Sequence, residues 1–558
     1  MKKTILLLIA AVTAVNVMMA QTVADGIKLL NYEKNKSARD LFEKLYNANS
    51  KDPENIYWYG QSLIASNNEK QAKEVYQKAL QDGINVPLLW VAMGQIDILE
   101  TGDINSAKQK FEQAITATTE TKGRHKGQPN AVILTAIGRA NAMGGTKIGD
   151  ANYGIEKLKQ AATIDASDPN ILIYEGICFL KLGGENGGDA VQAFTDAITR
   201  NPKNPLPYFR IGRVYYSQKN KEAFDKYFNA TIQADSTFPP VYFKMFDYYA
   251  NRDVNKAKEY LDKFLLYADK EPANDFYYAD YLYRAGKYDE SLQKAKELEQ
   301  SAGIEAVPRL NVLYAYDYDK KGDSLTAKTY IEKYFATADS DDIVLTDYDL
   351  AISILTKIPG SELKAIDYIN KAIDADSAIN SKLNYINIAA DIYAKEKDYA
   401  NQLVWLEKVA VLKKDITSRD YYFICYAALK AKDTAKASKY SDVYIQKFPD
   451  QIYGYRFKTE AAIATDFDTT KGTAIPAIEQ YIEFLKKDTL KNASILPYQF
   501  YYLASYYSDK AKELKKALET INRLLEIYPT DKFGLEVKPI LEAEINRPAP
   551  KTAPKRTK

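Results

Sequence analysis

Chemistry needs side chains that can move a proton, attack a carbon or hold a metal, so those residues come first. The chain has one histidine, His125, inside the run Lys122-Gly-Arg-His-Lys-Gly127. No histidine or cysteine stands beside it to share a zinc ion. A general base also needs a fixed geometry, which a loop rich in glycine and lysine does not give it. His125 is therefore expected to be a solvated loop residue. The two cysteines, Cys178 and Cys425, are too few for a disulfide framework. Each lies in an apolar run, Ile177-Cys178-Phe179 and Ile424-Cys425-Tyr426, and is expected to be a small buried hydrophobe.

The acidic clusters fail as metal sites. Asp317-Tyr-Asp-Lys-Lys-Gly322-Asp323 has the outline of a calcium loop, but Lys321 takes a ligand position and Lys328 stands where a bidentate glutamate is needed. The spacing predicts instead a helix ending at Lys321 with Gly322 in the turn. Asp339 to Asp342 lacks the loop glycine and looks like a turn and helix start. The glycine-rich stretches 144–150 and 183–189 lack the strand-loop-helix context and the correctly spaced lysine that a phosphate cradle requires, so flexible turns are expected. Acids such as Glu299 and Glu332 lie on charged helical faces, as solvated partners of residues one turn away. The expectation is a chain with no catalytic constellation, no metal and no cofactor, hence not an enzyme.

Composition narrows the classes further. Apolar residues make up 46% and charged residues 27%, near the averages for soluble domains. Tyrosine is the outlier, with 45 residues against 20 phenylalanines; its apolar ring and polar tip suit surfaces that are half packed and half wet. Residues 1–20 read as a secretory signal, with Lys2 and Lys3, then an apolar run from Ile5 to Val15, and a cleavage point after Ala20. No cysteine lies near that point, so no lipoprotein anchor is expected, and no later segment has 18 consecutive apolar residues. The last stretch, 547–558, holds five basic residues and no acid, and reads as a disordered tail. Between leader and tail the net charge is near −5, which excludes the basic footprint of a nucleic-acid binder.

The residues above must be positioned by something, and the regular feature is a pair of amphipathic helices. A small residue in the first helix is followed by a small, a large and a small residue in the second, and often by a proline. One copy runs Trp90, Met93, Gly94, then Ala107, Phe111, Ala114. Another has Gly176 and Phe179, then Ala190, Phe194, Ala197 and Pro202. A third is read as Gly212 and Tyr215, then Ala223, Tyr227, Ala230 and Pro239. Gly26, Ala38, Phe42, Pro53 and Gly60, Ala72, Tyr76, Ala79, Pro87 repeat the theme. So do Gly138 with Gly154, Leu158, Ala161, Pro169, and Ala504 with Tyr507, Ala517, Ile521, Leu524, Pro529. Weaker copies carry Ala257/Leu261/Phe264, Ser291/Ala295/Leu298, Ala327/Ile331/Tyr334, Ala365/Ile369/Ala372, Gln402/Leu406/Val409, Ala437/Ser441/Tyr444 and Ala477/Tyr481/Phe484.

This pattern resembles the tetratricopeptide repeat of about 34 residues, and is similar to that of bacterial envelope proteins. The resemblance implies an all-α, right-handed α-solenoid of about fourteen helix-turn-helix units over Gln21 to Asn546. Small residues let the two helices approach, the large residue fills the gap, and each pair buries its apolar face on its neighbours. Irregular stretches at 116–128, 301–307, 336–342 and 466–473 suggest N-terminal (21–119), central (120–300) and degenerate C-terminal (301–546) segments.

The family geometry also implies a concave groove lined by the first helices. Residues one turn before, just after and one turn after each small residue would face it. In the middle copies these are Phe209, Arg213 and Tyr216; Tyr242, Phe246 and Tyr249; Phe276, Asp280, Tyr283 and Arg284; then Tyr316 and Lys320. Tyrosine and arginine are enriched where binding energy concentrates. The reading that follows is a periplasmic or secreted scaffold that holds a peptide or subunit of the cell envelope. The expected partner is a protein, not nucleic acid or a small-molecule cofactor, and no integral membrane segment is expected after cleavage. The alternative is a glycan- or nutrient-binding component of an outer-membrane uptake system.

Overall fold

The structure is a computed structural model that describes residues 22–466 and 472–547. Among the described residues there are twenty-nine α-helices and no strand. Twenty-eight of them fall into fourteen antiparallel pairs, as the spacing predicts. The leader 1–20, the residues 467–471 inside the long turn near Asp466, and the tail beyond Arg547 lie outside the described residues.

The chain divides into two compact bodies, 1–313 and 314–558. In the N-terminal body the pairs are α1 (Val23–Asn31) with α2 (Asn35–Ala48), α3 (Pro53–Ala65) with α4 (Glu69–Gln81), and α5 (Pro87–Thr101) with α6 (Ile104–Thr118). Then come α7 (Ala131–Ala142) with α8 (Ala151–Ile164), α9 (Pro169–Leu182) with α10 (Gly187–Arg200), and α11 (Pro205–Ser217) with α12 (Lys221–Ala234). Next are α13 (Pro239–Tyr249) with α14 (Val254–Tyr267) and α15 (Pro272–Arg284) with α16 (Tyr288–Ala302). The boundary falls inside α17 (Leu310–Lys320), which pairs with α18 (Ser324–Thr337). The C-terminal body continues with α19 (Leu345–Leu355) and α20 (Ala365–Ala375), then α21 (Ile379–Lys395) and α22 (Tyr399–Leu412). It ends with α23 (Ser418–Lys430) and α24 (Thr434–Lys447), α25 (Ile452–Thr465) and α26 (Ile475–Leu485), and α27 (Leu496–Ser505) and α28 (Leu514–Ile527). The unpaired α29 (Lys532–Ile545), which the periodicity did not reveal, covers the last pair and buries only Gly534 and Leu541 from its own length. A row of repeats needs such a polar end-piece to shield its last apolar face.

Each pair is built on volume complementarity. Gly26, Gly60 and Gly94 recur every 34 residues, and each lies against a ring of its partner helix: Phe42, Tyr76 and Phe111. A β-carbon on Gly94 or Gly176 would stand 2.6 Å from the ring of Phe111 or Phe194, well inside van der Waals contact. Gly138 meets Leu158 in the same way. In the α11–α12 pair the ring that meets Gly212 is Phe228, with Phe224 and Thr231 buried one turn to either side. The sequence reading of Ala223, Tyr227 and Ala230 is thus one residue out of register. A bulky phenylalanine takes the place usually held by alanine, and the neighbouring Ala223 and Tyr227 masked it. The weaker copies keep the expected register: Ala257/Leu261, Ser291/Ala295, Ala327/Ile331, Ala365/Ile369, Gln402/Leu406 and Ala437/Ser441 are all buried.

The prolines act at a different point from the one the pattern suggests. Pro53, Pro87, Pro169, Pro239 and Pro272 do not close a second helix; each occupies the first turn of the following first helix. There the missing N–H costs nothing and the fixed φ is already helical. Asp52 and Asp168 cap two of these helices, accepting hydrogen bonds from Glu54 N and Asn170 N at 2.8 and 2.9 Å.

The N-terminal body returns on itself. The turn between α1 and α2 meets the turns that follow α12 and α14. Tyr32 donates its hydroxyl to Asp235 at 2.6 Å, and Lys28 pairs with the same carboxylate at 3.4 Å. Tyr32 packs edge-on to Phe238, centroids 5.0 Å apart. Ser37 N donates to Asp269 at 3.0 Å, and the Ser37 hydroxyl bonds the same carboxylate. Burial alone would raise Asp235; the Tyr32 hydroxyl, Thr237 and Lys28 outweigh it and hold the carboxyl down at about 2.

Candidate binding face and interior cavity

Two features of the N-terminal body are candidates for binding: the aromatic face expected from the repeat register, and a cavity between the first helices. The expected face divides by burial. Phe209, Tyr242 and Phe246 are buried between helices, where Phe209 packs on Phe228 and Phe238. They fill the core and present no surface to a partner.

Tyr216, Tyr249, Phe276, Asp280 and Tyr283 are half-buried, and Arg213 and Arg284 are exposed. Tyr216 donates to Asp247 at 3.3 Å, with Lys244 over its ring at 4.4 Å. Tyr249 stacks on Tyr260, centroids 5.7 Å apart, with Lys256 over its ring. Arg284 donates to Asp280 at 2.7 Å and to Asn251 at 2.6 Å. Tyr316 and Lys320 belong to the C-terminal body, where Tyr316 is half-buried and Lys320 exposed.

Arg213 also borders a cavity of about 340 Å³ with Arg210 and the glycines Gly183, Gly184 and Gly187. Burial and the neighbouring Arg213 lower the pKa of Arg210, and its Nε has no hydrogen-bond partner.

A larger cavity, about 500 Å³, lies between the first helices of the first five pairs. Its walls come from Ile27 of α1, Tyr57 and Trp58 of α3, Leu88 of α5, Val132 and Thr135 of α7, and Tyr174 of α9. Arg139 lines it from α7 and is only 6% exposed. The guanidinium stacks on Trp58, 5.0 Å from the ring centroid, and its Nη1 is buried with no hydrogen-bond partner. The phenols of Tyr57 and Tyr174 stand beside it. Burial pushes the Tyr57 phenol up to about 12, with Arg139 opposing the rise. Asp52, Glu54, Asp165 and Asp168 also border the cavity.

Arg139 was absent from the candidate residues, yet the register that generated them contains it. It follows Gly138 directly, as Arg213 follows Gly212, and Thr135 is one turn before. The candidate face was drawn only from the middle copies, beginning with Gly212, so the Gly138 copy was left out.

Other sequence expectations settle locally. His125 is exposed in its loop, with Nδ1 2.6 Å from Gln128 Oε1. Cys178 and Cys425 are buried and unbridged, and burial pushes each thiol up to about 12. Gly322 makes a left-handed turn after α17, as expected. The acidic stretch at 340–342 forms a short 3₁₀ turn, not the start of α19. The glycine-rich 144–149 turn is tied down rather than free. Lys181 Nζ donates to the carbonyls of Asn141, Met143 and Ile148 at 2.9, 2.7 and 2.8 Å. Gly149, at φ +80°, packs so closely on the Asn141 backbone that a β-carbon would lie 3.1 Å from it. Among the described residues, no three His, Cys, Asp or Glu side chains converge as a metal set, and no helix is long and apolar enough to cross a membrane.

The tetratricopeptide repeat pattern matches residues 53–81, the α3–α4 pair. Among curated proteins the chain is similar to a TPR repeat-containing protein of Methanocaldococcus jannaschii, at 23% identity over 352 residues. The match covers 61% of this chain and 53% of the other, so the chain spans about half the length of that relative. Among solved structures it is similar to the C-terminal part of a TPR repeat-containing protein from Cytophaga hutchinsonii, at 24% identity over 47% of this chain and 98% of that one, TM-score 0.27. It is also similar to a tetratricopeptide repeat protein from Parabacteroides merdae, with 14% identity, 47% and 96% coverage and a TM-score of 0.33. Yeast Tom70 matches at 13% identity, 77% and 98% coverage and a TM-score of 0.36. The α3–α4 pair thus matches a tetratricopeptide repeat directly, and a two-helix pair recurs fourteen times along the chain.

Proposed function

We propose that the chain is a protein-interaction adaptor acting outside the cytoplasm, in the periplasm or beyond, and that it holds a peptide segment or subunit of the cell envelope. Tetratricopeptide repeats support a protein-interaction scaffold in general. The leader-like residues 1–20 support the location. One observation carries the choice of surface: Tyr216, Tyr249 and Tyr283 recur on successive first helices, all half-buried, each with charged side chains close by in sequence or space. A half-buried tyrosine presents part of a rigid aromatic ring at small entropic cost.

The test is affinity capture from envelope extract with the wild-type chain and with Tyr216, Tyr249 and Tyr283 all changed to alanine. A partner retained by the wild type and lost by the triple variant is the expected outcome. The same captured proteins from both would reject this face. Sequencing the N-terminus of the chain recovered from cell fractions tests the location; an intact Met1 in the cytoplasmic fraction would overturn it.

A further inference from the structure

Arg139 is a buried cation that is only partly satisfied: burial opposes its charge, the phenols of Tyr174 and Tyr57 more than offset that, and Nη1 still has no acceptor. The residue is 94% shielded from solvent, and among the described residues no carboxylate pairs with it. A buried cation without a counter-ion is costly, and structures that keep one usually supply an anion. Here the cation borders an apolar-walled cavity of about 500 Å³, within the usual range for ligand pockets. The guanidinium carbon lies over the Trp58 ring, 5.0 Å from its centroid, and its Nη1 lacks an acceptor. A planar, pre-oriented fork of this kind matches a carboxylate.

We propose that this cavity receives an apolar group bearing one carboxylate, which pairs with Arg139 while the apolar body rests on Trp58, Ile27 and Leu88. Asp52, Glu54, Asp165 and Asp168 around the cavity oppose a second negative charge, so a monoanion is selected over a dianion. The site is separate from the tyrosine face, and neither proposal requires the other. The carboxylate has two possible sources, the end of a peptide or a free small acid.

The experiment is calorimetric titration of the full chain with four probes: N-acetyl-leucyl-phenylalanine, its carboxamide, 3-phenylpropionate and benzylsuccinate. A charge-assisted hydrogen bond makes the expected preference for acid over amide about tenfold or more. Arg139→Gln abolishes that preference. Val132→Trp narrows the cavity from a position 64% exposed, so it tests the site even if Arg139→Gln does not fold; it weakens every probe that binds. Dipeptide binding without 3-phenylpropionate binding assigns a peptide end, and the reverse assigns a free acid. The proposal is overturned if neither monoacid binds, if amide and acid bind alike, if benzylsuccinate binds more tightly than 3-phenylpropionate, or if Val132→Trp leaves binding unchanged.

Discussion

The two bodies solve the same packing problem with different residues. In the N-terminal body a ring lies against a glycine five times: Phe42 on Gly26, Tyr76 on Gly60, Phe111 on Gly94, Phe194 on Gly176 and Phe228 on Gly212. In the C-terminal body, positions sixteen apart in the same register hold Ala315 with Ile331, Ala390 with Leu406, and Cys425 with Ser441, all buried. The last two approach within 3.7 Å through Ser441 Oγ and Cys425 Sγ. Glycine with a ring and alanine with a branched aliphatic side chain fill similar space, so in those pairs the residues change while the filled volume is kept; Cys425 with Ser441 is the smaller exception. Cores tolerate exchanges that conserve volume far better than those that add or remove it.

This comparison breaks most visibly at the rings. Phe194→Ala is expected to cost about 3–5 kcal/mol, and Leu406→Ala about 2–5 kcal/mol, each read from denaturant unfolding with hydrogen exchange to locate the loss. If volume is what matters, Gly176→Ala combined with Phe194→Leu rebuilds the C-terminal solution inside the N-terminal body. The pair should then be more stable than the sum of its single changes predicts. Additive losses would show that the ring itself is required.

Gly176→Ala alone comes next, at about 1–3 kcal/mol from overpacking. The matching change in the C-terminal body, Ala390→Gly, should cost only about 1 kcal/mol, from helix propensity.

The closure of the N-terminal body gives a smaller effect with a sign that depends on pH. Asp235 is held at about 2 against an ordinary value of 3.8. Its charged form is the one favoured by folding. The stabilisation is therefore complete above about pH 4 and is lost as pH falls toward 2. Exchange protection of α1 and α2 should fall through that window. Tyr32→Phe removes a hydrogen bond to a charged group, costing about 1.5 kcal/mol, and should weaken the acid dependence.

The least disruptive test uses the thiols. Cys178 and Cys425 are buried, one in each body, with pKa values pushed up to about 12, so neither should react with a disulfide reagent at pH 8 until its surroundings open. Phe194→Ala should accelerate labelling of Cys178 and leave Cys425 at the wild-type rate. Equal acceleration would mean that the bodies open together.

Much of the fold was legible in the chain because a 34-residue rhythm of small and large residues survives even where aromatics give way to aliphatics. The fourteen pairs follow from that rhythm. Three things escaped it for physical reasons. Phe224 sits where alanine is usual, which displaced one register by a residue. The lone α29 repeats nothing and so leaves no periodic trace. The contacts of Tyr32 and Ser37 with Asp235 and Asp269 join residues more than two hundred positions apart, and no local pattern encodes them. The binding surface was less legible. The register marks which side of a helix faces inward, but not whether that side is covered, as at Phe209, or open, as at Tyr216. Arg139 was within reach of the same rule.

The bond between Tyr32 and Asp235 has a consequence for how this protein can change over generations. An open row of repeats can gain or lose a member almost anywhere, because each touches only its neighbours. Here the first pair meets the turn that follows the sixth. Duplicating or deleting any pair between them would carry those two groups past each other by one step. The N-terminal body is thereby held to a fixed count, and growth or shrinkage of the array is free only outside the loop that this bond closes.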